Sequence, residues 1–238
     1  MNNPFQFKEF SVSHDKCAMK IGTDGVLLGA WANPKNSFSI LDIGTGTGVI
    51  ALQMAQRASA EVIDALEIDA NAFEQAVDNF EQSDWGDRLF CYHASLQEFV
   101  GEIEEEYDFI ISNPPFYNTT YKEGAISDQR ILARHSKSFS FTTLLEATSK
   151  LLCKKGSCAF IIPFEEEETF LELAYQQKLF ANRITRVRGA SSSPVKRILL
   201  QLSFEKTEIE SSELVIEIER HQYTQDYINL VKDFYLKM

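Results

Sequence analysis

Two short stretches of this chain combine residue types that can act on one molecule. Asn113-Pro114-Pro115-Phe116 closes an apolar run from Tyr107 to Ser112. The Asn113 side-chain oxygen and the Pro114 carbonyl can each accept one hydrogen of a planar –NH2 group. Holding both hydrogens draws the nitrogen lone pair out of conjugation and aims it at an electrophile. Pro115 fixes its own φ and stiffens the turn. Phe116 offers a ring face to a flat acceptor, with Tyr117 as a second, and such stacking contributes about 1–3 kcal/mol per base. A purely structural turn would gain little from the asparagine and the aromatic.

The other stretch, Asp42-Ile43-Gly44-Thr45-Gly46-Thr47-Gly48, closes a second apolar strand. Glycines at such a turn let the backbone take positive φ and approach a ligand closely. Nicotinamide and flavin enzymes use similar turns, but their fingerprint is G-x-G-x-x-G, whereas the spacing here is Gly44-x-Gly46-x-Gly48. Glu67 follows Gly48 by 19 residues, at the end of the next strand. A carboxylate there can accept hydrogen bonds from both hydroxyls of a ribose. Asp42 can meet a ligand's amino group or brace the turn; the residues alone leave both open.

Elements to hold these turns can be read along the chain. Strands are expected at Ser39 to Ile43, Glu61 to Ile68, Leu89 to Tyr92, Tyr107 to Ser112 and Cys158 to Ile162. Helices are expected from Thr23-Asp24, as a cap, to Trp31, from Val49 to Arg57 and from Asn71 to Phe80. Another is expected around Leu144 to Leu152, and a further one from Thr169 to Gln177. Two extended runs, Arg183 to Arg188 and Arg197 to Phe204, flank Gly189 to Pro194 as a hairpin or long loop. Leu214 to Ile218 gives one further strand, and a terminal helix starts at Thr224. Strands alternating with helices predict an α/β fold: a seven-stranded, mostly parallel sheet with a late antiparallel hairpin and helices on both faces. In such sheets ligands bind beyond the carboxyl ends of the strands, where both turns fall.

With 238 residues, 44% apolar and 24% charged, the chain reads as one soluble domain. Residues 1–35 are expected to cover the cofactor, 36–205 to form the core, and 206–238 to add a strand and helix. No secretory signal or membrane span is expected. Cys17, Cys91, Cys153 and Cys158 have no zinc spacing, which predicts reduced thiols, a cytoplasmic location and no metal. A net charge of −12 argues against nonspecific coating of nucleic acid. The charge is uneven, however. Acids gather at Glu104 to Glu106 and Glu165 to Glu168. Leu173 to Phe204 carries Lys178, Arg183, Arg186, Arg188, Lys196 and Arg197 without one acid. Lys122, Arg130, Arg134 and Lys137 form a second basic group. Two basic arms beside one site suit a small RNA.

From Phe38 to Phe204 the chain resembles the class I S-adenosylmethionine-dependent methyltransferases. The resemblance implies that Asp42, Gly44, Thr45, Gly46 and Gly48 line the methionine part of S-adenosylmethionine, that Glu67 and Ile68 meet its nucleoside, and that Ser95 stands where relatives place an acid near adenine. Residues 10–31, with His14, Lys16, Lys20, Thr23 and Asp24, resemble the bacterial tRNA(Val)-specific adenine-N6 methyltransferases, as do Asp42 to Gly48, Asn113 to Phe116 and Pro194 to Arg197. This implies Lys20, Thr23 and Asp24 near the methionine end of the cofactor, and methyl transfer to N6 of A37 beside an anticodon; a monomer is expected. Tyr117, Arg130, Arg134, Lys196 and Arg197 would touch the RNA, and His135 is a weaker choice. A glutamine side-chain amide, the substrate of release-factor methyltransferases, is the alternative acceptor. The basic run and the absence of a long preceding helical domain favour adenine. A nicotinamide-dependent oxidoreductase explains the glycine turn but leaves Asn113 to Phe116 without a role.

Overall fold

The computed structural model describes residues 3–115 and 140–238. A small antiparallel pair, β1 (Phe5–Gln6) and β2 (Ser11–Val12), precedes α1 (Thr23–Trp31). Then follow β3 (Ser39–Ile43), α2 (Val49–Arg57), β4 (Val62–Glu67), α3 (Ala70–Glu81), β5 (Leu89–His93), α4 (Leu96–Glu102) and β6 (Tyr107–Ser112). The second half comprises α5 (Phe141–Leu151), β7 (Leu152–Pro163), α6 (Glu167–Gln176), β8 (Phe180–Ala190), β9 (Val195–Ser203), β10 (Glu210–Glu219), β11 (Gln222–Tyr223) and α7 (Gln225–Val231).

The large sheet runs β11-β10-β8-β9-β7-β6-β3-β4-β5. Its seven strands from β8 to β5 match the expected sheet, with β9 antiparallel to both β7 and β8. The edge grows by two strands: β10 lies parallel to β8, and β11 folds back on β10. Chain order reverses between β3 and β6, which pair in parallel. Both turns singled out above therefore sit side by side at the switch point, where open α/β sheets take ligands.

Both faces are covered at the centre of the sheet, so β3, β4 and β6 are buried almost throughout rather than alternating. Phe109 and Ile111 face a core shared with α1, α2, α3 and α7. Ile110, between them, faces the other core with α4, α5 and α6. Helix α1 is buried from Gly25 to Trp31 and packs on α2 so closely that a Cβ on Gly29 would stand 2.2 Å from Gln53 Oε1. Arginines satisfy its last carbonyls: Arg57 donates to Gly29 O at 2.7 Å and Arg183 to Trp31 O at 3.0 Å.

Some boundaries differ from expectation. Helix α1 is not capped by Thr23 or Asp24: both lie within its first turn, its N-cap is Gly22 without a side-chain hydrogen bond, and Asp24 pairs with Arg197. Strand β7 begins at Leu152, and its early residues pair with β6 through a register shift between Tyr107 and Phe109. Helix α4 had no counterpart in the sequence reading, although Ser95 and Glu98 form a capping box at its start. Among the described residues, no helix is long and apolar enough to cross a membrane.

Candidate active site

The glycine turn is built as its spacing requires. Gly44, Gly46 and Gly48 have φ of 73°, 56° and 81°, values that favour glycine. Beyond that conformation the three differ. A Cβ on Gly48 would lie 2.5 Å from the Phe80 ring, so packing excludes a side chain there. A Cβ on Gly46 would meet nothing within 4 Å, leaving its backbone open to a ligand. Leu66 O accepts the amides of Gly44 (2.8 Å) and Thr45 (3.0 Å), which binds the turn to β4.

Two acids brace this cradle. Thr45 Oγ1 donates to Asp42 Oδ2 at 2.6 Å. Asp42 is 0% exposed, and its Oδ1 has no hydrogen-bond partner among the described residues. Burial pushes its carboxyl up to about 7, and the Thr45 hydrogen bond only partly opposes this. Glu67 Oε2 accepts the Gly46 amide at 2.9 Å, while Oε1 accepts the amides of Ile68 (2.8 Å) and Asp69 (2.9 Å). A carboxylate offers about four lone-pair sites. Glu67 is thus first a splint between two turns, with little acceptor capacity left for a ribose. Ile68 beside it is 44% exposed, an apolar surface at the rim of the cradle.

The Asn113 turn stands next to the glycines because β6 pairs with β3 and Ser112 Oγ donates to Ile43 O at 2.7 Å. Asn113 Oδ1 is buried without a hydrogen-bond partner among the described residues. Leaving a buried acceptor unpaired costs about 1–3 kcal/mol, a cost that an incoming N–H donor would remove. Gly25 of α1 packs alongside: a Cβ there would lie 3.9 Å from Asn113 Nδ2 and 3.5 Å from Val49 Cγ1. Pro114 is buried and Pro115 half-buried. Phe116, Tyr117, Lys122, Arg130, Arg134, His135 and Lys137 lie outside the described residues.

A strap formed by residues 13–17 crosses α3 towards the cradle. Asn79, 1% exposed, donates to Thr47 O (2.8 Å) and Ser13 O (2.9 Å) and accepts from Ser13 N (2.9 Å). Gln75 Oε1 accepts the Lys16 amide at 3.0 Å. Cys17 comes close enough to Glu67 and Asp69 that their charges add to burial in raising its thiol to about 11. Lys20 and Thr23 are exposed beyond this strap. The sequence reading missed Asn79 and Gln75. Their signal was polar residues three positions beyond the core-facing Ala76 and Ala72 of α3.

Two site expectations change. The Ser95 hydroxyl donates to Glu98 Oε2 at 2.7 Å and accepts the Glu98 amide at 3.2 Å, so helix capping occupies it. The basic run is also largely paired within the chain, because the fold brings in acids from outside that run. Arg186 pairs with Glu167, Arg188 with Glu213 (2.7 Å) and Arg197 with Asp24 (2.7 Å), while Arg183 lies 4.2 Å over the Trp31 ring. Lys196 is exposed.

The model of the methyltransferase small domain matches residues 17–140, a span that holds the cradle and the Asn113 turn. Two curated relatives, from Flavobacterium johnsoniae and Christiangramia forsetii, are both named tRNA1(Val) (adenine(37)-N6)-methyltransferase. The first is 59% identical, with 98% of this chain and 100% of the relative covered; the second is 56% identical, with 100% and 99% covered. The chain belongs to this methyltransferase family. It is an enzyme that uses S-adenosylmethionine. A predicted O-methyltransferase from Agrobacterium tumefaciens superposes with a TM-score of 0.69 at 17% identity, covering 89% of this chain and 96% of that one. That likeness places the family member in the class I methyltransferase fold. Its cradle suits the cofactor: the Gly46 backbone is open, and Asp42 Oδ1 offers a carboxylate oxygen to an ammonium group.

Proposed function

We propose that this chain methylates N6 of adenosine 37 in the anticodon loop of tRNA1(Val). The observation that carries this reading is the buried, unpartnered Asn113 Oδ1 beside the glycine cradle. S-adenosylmethionine supplies an electrophilic methyl group on a sulfonium. Asn113 Oδ1 and the Pro114 carbonyl accept the two amino hydrogens of adenine and hold the nitrogen lone pair in line with that methyl. Bound there, the cofactor would supply its methyl to that nitrogen, the sulfur keeping the electron pair of the C–S bond and the amino group giving up one proton to solvent. Positioning does most of the work, so no covalent enzyme intermediate is needed.

In this reading, Asp42 Oδ1 holds the ammonium of the cofactor, and Lys20 and Thr23 flank its methionine end. Glu67 keeps Gly46 in place and offers its remaining acceptor capacity to the ribose, while Ile68 packs against the nucleoside. Phe116 stacks on the target base; Tyr117, Arg130, Arg134, Lys196 and Arg197 contact the RNA. Arg197 does so only by exchanging or sharing Asp24. Residues 1–35 cover the cofactor, 36–205 carry the chemistry, and the chain works as a cytoplasmic monomer. The relatives' names support adenine over a glutamine amide.

Nucleoside mass spectrometry tests the proposal. Unmodified tRNA1(Val) incubated with the protein and S-adenosylmethionine should gain one N6-methyladenosine, at position 37. A product in which release factor, and not tRNA, carries the methyl group would replace it with the glutamine reading.

A further inference from the structure

A cavity of ≈ 690 Å³ lies between the start of α1, the carboxyl ends of β8 and β10, and the segment around α7. Its walls include Phe5, Thr23, Glu217, Tyr223, Tyr227 and Tyr235. Of these walls only Thr23 has a part in the steps above, beside the methionine end of the cofactor. We propose that this cavity binds a second base of the substrate RNA, one flanking the methylated adenine in the same single-stranded loop. The inference rests on the tRNA reading and adds a specificity site to it.

Position is the first argument. Gly22 and Thr23 line the cavity, while Gly25, in the same first turn of α1, packs beside Asn113. One helical turn advances about 5.4 Å, so the cavity and the amino-group clamp flank a single turn of helix. Bases that are near neighbours in a loop can enter both. The cavity also lies at the carboxyl ends of β8 and β10, which point the same way as β3 and β6 and so to the same end of the sheet as the cradle.

The lining supplies the chemistry. The Tyr223 and Tyr227 rings lie 5.2 Å apart, tilted by 37°, and Tyr235 lines the same cavity. Unpaired RNA bases are recognised by stacking on aromatic rings and by hydrogen bonds to their edges. Glu217 gives the edge contact: its Oε1 accepts the His221 amide at 3.2 Å, which anchors the carboxylate at the wall. A carboxylate accepts from base amino and imino groups and repels a phosphate. The base therefore goes inward, and the exposed Lys237, also in the lining, gives a cation for the backbone. The volume falls within the roughly 300–1,000 Å³ of small-molecule sites.

The test uses the full chain, unmodified tRNA1(Val) transcript, and transcripts carrying one abasic residue at each loop position beside 37. Tyr223→Ala should weaken tRNA binding about tenfold and leave S-adenosylmethionine affinity within about twofold of wild type. Tyr223→Phe, which keeps the ring, should bind as wild type. One abasic position should weaken wild-type binding by a similar factor yet add nothing in Tyr223→Ala. Glu217→Gln, which keeps the size of the side chain, should lower discrimination among bases at that position. Unchanged tRNA affinity in Tyr223→Ala, or losses that add independently at every abasic position, would overturn the cavity assignment. A wild-type protein that methylates no tRNA would instead remove the reading beneath it. A Tyr223→Ala protein that also loses its cofactor affinity has lost its fold, and the comparison of Glu217→Gln with wild type then decides.

Discussion

Glu67 Oε2 accepts the Gly46 amide at 2.9 Å, tying the end of one parallel strand to the middle of the glycine turn that follows its neighbour. Together with the amides of Ile68 and Asp69, this contact makes a single side chain the joint between two ligand-facing loops. Glu67→Gln retains the volume but replaces one acceptor oxygen with a donor that faces an N–H. Hydrogen bonds to charged groups contribute about 1.5–3 kcal/mol. The variant should therefore bind S-adenosylmethionine at least tenfold more weakly and melt at a lower temperature. Calorimetric binding and thermal melting measure both. Weaker binding with unchanged melting would assign Glu67 to the ribose alone.

Asn113→Ala removes the acceptor without touching the cradle. Methyl transfer should fall at least about 100-fold, the scale expected when a reacting group is misplaced, while cofactor affinity stays within about twofold. Single-turnover transfer and equilibrium dialysis separate the two. Parallel loss of both would mean that Asn113 supports the turn and does not hold the acceptor.

Asp42 gives a pH signature. Its carboxyl rises from an ordinary 3.8 to about 7 in the folded chain. Between those values the folded state binds more protons than the unfolded state, so this residue's contribution to stability falls as pH rises through the window. Asp42→Asn should flatten that part of the stability profile, as read by chemical denaturation at several pH values. An ammonium at Oδ1 favours the ionised carboxylate, so S-adenosylmethionine binding just below pH 7 should release protons. Calorimetry in buffers of different ionisation enthalpy would detect this, and zero proton release would deny Asp42 a cationic ligand.

Asn79→Ala should unfasten the strap. Three hydrogen bonds, two to Ser13 and one to Thr47, disappear from a buried site. At about 1 kcal/mol each, the loss is roughly 3 kcal/mol of stability. Hydrogen exchange should rise at residues 13–17 and in the glycine turn together. Exchange rising in the strap alone would show that it does not support the cradle.

Much of this architecture was legible in the sequence because local signals and global fold agree. Apolar runs ending in Asp42 to Gly48 and in Asn113-Pro114-Pro115 marked both turns, and their pairing at the switch point follows from strand order. What escaped were relationships between residues distant in sequence. Nothing around Arg186 or Arg188 announces Glu167 or Glu213, which the sheet and α6 bring alongside. Asn79 looks like an ordinary polar helix residue until the strap is placed over it. The helix cap spelled by Ser95 to Glu98 is hidden from a reading by apolar runs, because α4 buries only Leu96 and Phe99.

Three of the four arginines of β8 and β9 meet counter-charges within the chain, and this bears on competition in a cell crowded with ribosomes. A surface already neutralised at home has little grip on bulk duplex, and its net charge of −12 repels it further. Under the reading proposed above, inserting a few exposed bases would then add to the remaining basic contacts and favour a frayed loop over paired RNA.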